Sequence, residues 1–147
     1  MSVIRRRIVE GAWEGADVLA YKEEGSAPFR AISRQILFDD PNLQCQLRYF
    51  EIAAAGYSTL ERHQHTHAVM VVRGHGRCLV GTELYDIGLH DLISIAPLTW
   101  HQFRAADDGP LGFLCMVNNE RDRPQLPTAA QLEELRGDPA LAAFIAV

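Results

Sequence analysis

Between about residue 32 and residue 117 the chain is broken into short runs rich in Val, Ile, Leu, Tyr and Phe, punctuated by Gly, Asp, Asn and Pro. That rhythm constrains the fold more than any other feature, because it predicts an all-β protein. The runs cover residues 33–38, 43–53, 58–63, 67–73, 76–80, 83–86, 91–95, 100–105 and 111–118. Gly74-His75-Gly76 and Gly81-Thr82 read as hairpin turns, since glycine supplies the positive backbone angle of a tight turn. Short antiparallel strands joined in this way predict a sandwich or barrel.

After the β region the composition changes. Residues 121–127 (Arg-Asp-Arg-Pro-Gln-Leu-Pro) read as an extended connector before an Ala- and Leu-rich tail with two short helices. Thr128 and Gln131 form a capping-box pattern, Leu132 and Leu135 supply an apolar stripe, and Gly137 is placed to end the first helix. Asp138-Pro139 starts the second, because aspartate caps and proline is tolerated at the first helical position. The tail is expected on the outside of the barrel or against a second subunit. A chain of 147 residues favours a single domain that buries a core without staples. Its expected parts are an N-terminal extension with outer strands (1–31), a barrel (32–118), and the connector with its helices (119–147).

The net charge of −5 and pI near 5.6 lack the basic field that gathers nucleic acid or an anionic membrane, and the Arg5-Arg6-Arg7 run reads as a solvated edge. No apolar stretch approaches the roughly 20 residues of a bilayer span, and the N-terminus lacks the apolar core of a secretion signal. A soluble cytoplasmic protein with a small-molecule ligand is expected. Cys45, Cys78 and Cys115 are too few and too widely spaced for a disulfide framework or a thiolate zinc site.

Chemistry concentrates in Glu61-Arg-His-Gln-His-Thr-His67 and in His101, which hold four of the six histidines and a carboxylate. One such histidine would be unremarkable in a polar turn; the set points to a divalent transition metal bound by imidazole nitrogens and a carboxylate oxygen. Residues two apart on a strand face the same side, so Glu61 and His63 point together. His65 is read as a rim or substrate-facing residue, and His75, His90, Glu83 and Asp86 as solvated. From strand alternation alone Cys115 is a buried core cysteine, sharing a face with Phe113 and Val117. Arg34, Arg48, Arg62 and Arg104 lie in or beside the β region, where any of them could serve a cavity or an outer face.

These residues resemble the cupin family, whose motifs run Gly-x5-His-x-His-x3or4-Glu-x6-Gly and Gly-x5-Pro-x-Gly-x2-His-x3-Asn. Counting back from Gly74 puts the first motif's Glu on His67 and its two His positions on Glu61 and His63. Carboxylate and imidazole have exchanged places. In the second motif His101 is retained, whereas His90, Ala96, Leu98 and Ala105 replace Gly, Pro, Gly and Asn. The resemblance spans roughly residues 43–118 and implies a double-stranded β-helix, or jelly-roll, barrel. It implies a metal held by Glu61, His63, His67 and His101, with Mn favoured and Fe, Co or Ni admissible. It also implies a homodimer, as does the strand at 111–117, which is apolar on both sides where one barrel buries one side.

The string at 58–63, the Trp100-His-Gln-Phe103 segment, Phe113-Leu-Cys115 and the 121–127 connector are similar to one cupin group, the 1-methylthioxylulose 5-phosphate sulfurylases. In that group a barrel cysteine attacks the methylthio sulfur and expels an enolate held by the metal; a thiol reductant then clears the methyl disulfide. The resemblance makes Cys115 the nucleophile. A metal-dependent isomerase or dioxygenase, or a non-catalytic small-molecule-binding cupin, would use the same ion without the thiol.

Overall fold

The structure, a computed structural model, describes residues 2, 4–20 and 30–147, with the side chain of Arg30 set aside. The N-terminal segment expected over 1–31 therefore lies partly outside the described residues. The described strands are β1 (Arg7–Val9), β2 (Ala12–Trp13), β3 (Leu19–Ala20), β4 (Arg30–Asp40), β5 (Cys45–Tyr57), β6 (His67–Arg73), β7 (Gly76–Val80), β8 (Glu83–Ile87), β9 (Leu92–Ile95), β10 (His101–Ala105) and β11 (Leu111–Asn118). Helices α1 (Ala129–Leu135) and α2 (Pro139–Phe144) follow. No helix among the described residues is long and apolar enough to cross a membrane.

Strands β3 to β11 form one curled antiparallel sheet in the order β8-β7-β10-β5-β11-β6-β9, with β4 on β5 and β3 on β4, while β1 and β2 pair as a separate two-stranded sheet. Closure depends on β5. It pairs with β11 from Cys45↔Asn118 to Ile52↔Leu111, and its last residue, Tyr57, pairs with Arg104 of β10. Between these stretches Ala55 adopts φ 60° and donates its N–H to the Ala106 carbonyl at 2.9 Å. One strand thus bends at a corner and passes from one neighbour to the next, as sheets do when they turn into barrels.

The interior holds Ile52, Val69, Val71, Ile95, Leu111 and Phe113, with Phe113 stacked between Phe50 and Phe103 at centroid distances of 5.7 and 4.9 Å. A second apolar cluster lies outside the barrel, where Leu135, Leu141, Phe144 and Ile145 of the tail cover Leu60 and Leu79. Each such side chain contributes about 1.5–3 kcal/mol when fully buried. The tail therefore packs on its own barrel. The capping box at Thr128 and the Asp138 cap form as the residues suggest, and Arg104 ties the end down through the Phe144 carbonyl at 2.7 Å.

Residues 58–63, expected as a strand, do not form one. Glu61 and Arg62 make only isolated bridges to His101 and Gln125. The physical reason is that this stretch crosses the barrel mouth, where no continuous neighbour runs alongside it.

Backbone conformation explains the altered motifs. The first glycine of the first motif falls on Ala55, and the two glycines of the second on His90 and Leu98. These three residues have φ of 60°, 71° and 56°, while the retained Gly74 has 66°. The left-handed turns are kept although the side chain is not glycine, at about 1–2 kcal/mol for each such residue. At Gly74 the exception would cost more, because a Cβ there would collide with the Pro110 carbonyl oxygen. Gly74→Ala should lower the unfolding free energy by about 2 kcal/mol or more in urea titration. Gly88→Ala, where an added Cβ meets nothing within 4 Å, should change it by less than about 0.5 kcal/mol. Equal stability of the two variants would contradict this turn geometry.

Candidate metal centre and cysteine

The mouth segment brings three histidines together. His63, His67 and His101 are buried, and one ligand atom from each lies within 4.8 Å of the others. His67 opens β6 and His101 opens β10, while His63 is held by the chain crossing between them. His63 Nδ1 lies 2.8 Å from the His65 carbonyl oxygen and His101 Nδ1 lies 2.9 Å from that of Thr99. A ring whose Nδ1–H donates to a carbonyl presents its Nε2 lone pair outward, the tautomer that metal-binding histidines use. His67 is oriented otherwise: its Nδ1 lies 3.4 Å from Cys115 Sγ, and its Nε2 is buried with no hydrogen-bond partner. An orphaned buried nitrogen among two outward-facing imidazoles fits a divalent cation.

Glu61 lines the same cavity and is buried. Its backbone exchanges two hydrogen bonds with His101, at 3.2 and 3.0 Å, which sets the two residues side by side. Its carboxylate lies outside the 4.8 Å group, which consists of the three histidines. His65 also lines the cavity, with its ring stacked on His63 at 3.6 Å and its Nδ1 2.8 Å from Asp122. Asp122 further accepts from the backbone N–H groups of Gln64 and His65, at 2.7 and 3.0 Å. Those N–H donors, with the imidazole, hold its carboxyl well below the usual range.

Cys115 lies between two walls. It is 2% exposed and lines the cavity, with Sγ 3.4 Å from His67 Nδ1 and 3.5 Å from Arg48 Nη2. Burial pushes its thiol up, and the positive charges of Arg48 and Arg121 oppose that shift. Cys78, buried in the core, is pushed up to about 11 by desolvation, and Cys45 sits near the far end of β5. Of the arginines considered from sequence, Arg48 lines the cavity. Arg62 lies over the Trp100 ring and Arg104 against Phe144, both on the outer side with the tail. Arg121, Asp122 and Pro124 line the cavity from the connector. From sequence this string reads as a connector and carries part of the resemblance, without a site role; an arginine and an aspartate just before a proline were the signal of polar groups held in fixed positions.

Three comparisons place these features among known proteins. Residues 48–117 match the Cupin domain model. A 1-methylthio-D-xylulose 5-phosphate methylsulfurylase of Rhodospirillum rubrum is 57% identical over 133 residues, covering 90% of this chain and 85% of that protein. The chain belongs to the cupin family. The crystal structure of a cupin 2 conserved barrel domain protein from Rhodopseudomonas palustris superposes on this cupin with a TM-score of 0.94 at 56% identity, covering 99% of this chain and 100% of that one. A cupin-2 domain from Rhodospirillum rubrum gives 0.85 at 56% identity, over 90% and 89% of the two chains. The double-stranded barrel implied by the two motifs is the fold of the molecule.

Burial, reinforced by repulsion from His101 and His65, lowers His63 to about 4; burial with repulsion from His101, His63, His65 and Arg48 lowers His67 to about 2. Both rings are neutral at neutral pH, as ligation requires. The unfolded chain takes up protons near pH 6.5 that the folded cupin refuses until about pH 4. Stability of the chelator-treated protein should therefore rise with pH across that window. Urea midpoints at about pH 5 and about pH 7 test this, and His67→Gln should narrow the difference. A wild-type midpoint that is flat or falls over this range would mean that the rings are solvated.

Proposed function

We propose that this cupin is a 1-methylthioxylulose 5-phosphate sulfurylase that releases 1-deoxyxylulose 5-phosphate. One observation carries the reading. Cys115 Sγ sits on the cavity wall in contact with His67 of the histidine cluster, in a chain 57% identical to a protein bearing that activity in its name.

The proposed ligands are Glu61, His63, His67 and His101, with manganese favoured and iron, cobalt or nickel also suited to the nitrogen and oxygen donors. Such an ion would supply Lewis acidity to a carbonyl oxygen as it gains enolate charge. The chain's own part is nucleophilic. Cys115, as thiolate, attacks the methylthio sulfur; the sulfur–C1 bond breaks and its electron pair passes into the enolate. One proton taken up at C1 completes 1-deoxyxylulose 5-phosphate, and Cys115 is left as a methyl disulfide. Two equivalents of a thiol reductant return the free thiol, releasing methanethiol and the oxidised reductant. Arg48, in contact with Sγ, stabilises the thiolate against burial. The apolar Phe50, Phe103 and Phe113 line the same cavity and exclude water from the developing carbanion.

Cys115→Ser should retain metal, measured by elemental analysis, yet lose turnover by roughly a thousandfold or more. Without reductant, wild type should gain one methylthio group on Cys115 by mass spectrometry and release about one equivalent of product. An unmodified, metal-loaded protein that forms no deoxyxylulose phosphate would overturn the sulfurylase reading in favour of thiol-independent cupin chemistry. His101→Ala should lose most of its metal; full stoichiometric metal in that variant would remove His101 from the ligand set.

The same reading includes a homodimer. The tail is already used on its own barrel, so the outer sheet face is the surface left to cover. There Met70 and Leu92 pair across β6 and β9 and, with Met116 of β11, are 37%, 62% and 52% exposed. Light scattering at micromolar concentration should give about twice the 16.4 kDa chain mass, and a monomer would overturn the dimer.

A further inference from the structure

Across Cys115 from the histidines, the interior carries a second wall of opposite character. Arg48 is directly opposite Cys115 in the β5–β11 register, and Arg34 is opposite Phe50 in the β4–β5 register. Cross-strand partners share a face, so both arginines belong to the face that Cys115 and Phe50 give to the cavity. Arg48 is 9% exposed, and the Nε atoms of Arg48 and Arg34 are buried with no hydrogen-bond partner. Arg121 adds a third guanidinium at the mouth, held by the Asn118 carbonyl at 3.0 Å and the Gln46 amide oxygen at 3.4 Å. Burial and the charges of Arg48 and Arg34 make protonated Arg121 less favourable than usual. Asp39 is the counter-charge near Arg121, itself hydrogen-bonded to Gln46 at 3.0 Å.

Like charges packed together with buried donors unmade are costly unless an anion completes them. Asp39 is the carboxylate on this wall, while Glu61 and Asp122 lie on the histidine side; the arginine wall is left net positive, and the guanidinium fork matches phosphoryl oxygens bidentately. We propose that Arg48 and Arg121, backed by Arg34, form an anion-binding wall that takes the phosphoryl dianion of the substrate while the histidine wall faces its carbonyl end. The wall orients the substrate by its two ends and sets the methylthio sulfur against Cys115 between them. The identity of the ligand rests on the sulfurylase reading; the charge preference of the cavity does not.

The test needs no turnover. Cys115 of the purified full chain is modified with an anionic reagent, sulfonatoethyl methanethiosulfonate, and with neutral methyl methanethiosulfonate. In each case the thiolate forms a disulfide and expels methanesulfinate, and peptide mapping reads the rate at Cys115. The ratio of anionic to neutral rates divides out changes in the nucleophilicity of the thiol. It should fall about tenfold in Arg121→Gln and in Arg48→Gln, a size typical of electrostatic focusing in a charged cleft, and stay unchanged in Arg123→Gln. Millimolar inorganic phosphate should slow the anionic reagent on wild type, a readout that holds if the Arg48 variant fails to fold. A ratio unaltered in Arg121→Gln, or phosphate without effect, overturns the anion wall even if the enzyme turns over. A ratio that falls as expected in a chain inactive on methylthioxylulose phosphate keeps the wall and discards the sulfurylase reading.

Discussion

The site depends on how an irregular stretch of backbone is satisfied at the barrel mouth. Residues 58–66 carry Glu61, His63 and His65 but lack a continuous strand partner, and buried N–H and carbonyl groups left unpaired would be costly. Their partners come from several parts of the chain. Ser58 N–H reaches Phe103, Glu61 exchanges two bonds with His101, Arg62 exchanges two with Gln125, and the His63 carbonyl accepts from Leu98. The Asp122 carboxylate accepts from the N–H groups of Gln64 and His65. β10, the β9–β10 turn and the connector therefore hold the segment together, and with it His63 against His67 of β6 and His101 of β10.

Within that frame the interior is divided electrostatically. On one side burial keeps His63 and His67 neutral, so their lone pairs are available without competition from protons. On the other side stand the guanidinium groups of Arg48, which is buried, Arg34, which is half-buried, and Arg121, which lies exposed at the mouth. Cys115 touches both sides, at 3.4 Å to His67 and 3.5 Å to Arg48. The thiol is thus next to a place for a Lewis acid and to a permanent cation. An apolar strand cysteine elsewhere in the barrel, such as Cys78, has neither and is inert by burial.

Much of the barrel was legible in the chain itself. Strands at 67–73, 76–80 and 111–118 fall where the turn residues and apolar runs put them, as do the Thr128 and Asp138 caps. Those features are local: glycine at a positive φ, a hydroxyl or carboxylate capping exposed N–H groups, and β-rich runs between them. The histidines and Cys115 were also visible by residue type and by resemblance. The altered motif positions were harder to read, since Ala55, His90 and Leu98 keep glycine-like backbone angles without glycine. Sequence shows side chains, and φ is decided by the turn the surrounding strands impose.

Tertiary structure decided which side chains face one another. Alternation alone could not separate a core cysteine from one on a cavity, because Cys78 and Cys115 are both buried; only the register against Arg48 and Val69 places Cys115 beside the histidines. The arginines divide in the same way, with Arg48 inside and Arg62 and Arg104 against aromatic rings of the outer cluster. Arg121 and Asp122 reach the cavity because the connector folds back over the mouth, bonding to a segment about 60 residues earlier in the chain. Local propensity fixes a turn or a cap within a few residues, whereas a site assembled from five strands, a crossing segment and a connector is fixed by long-range pairing.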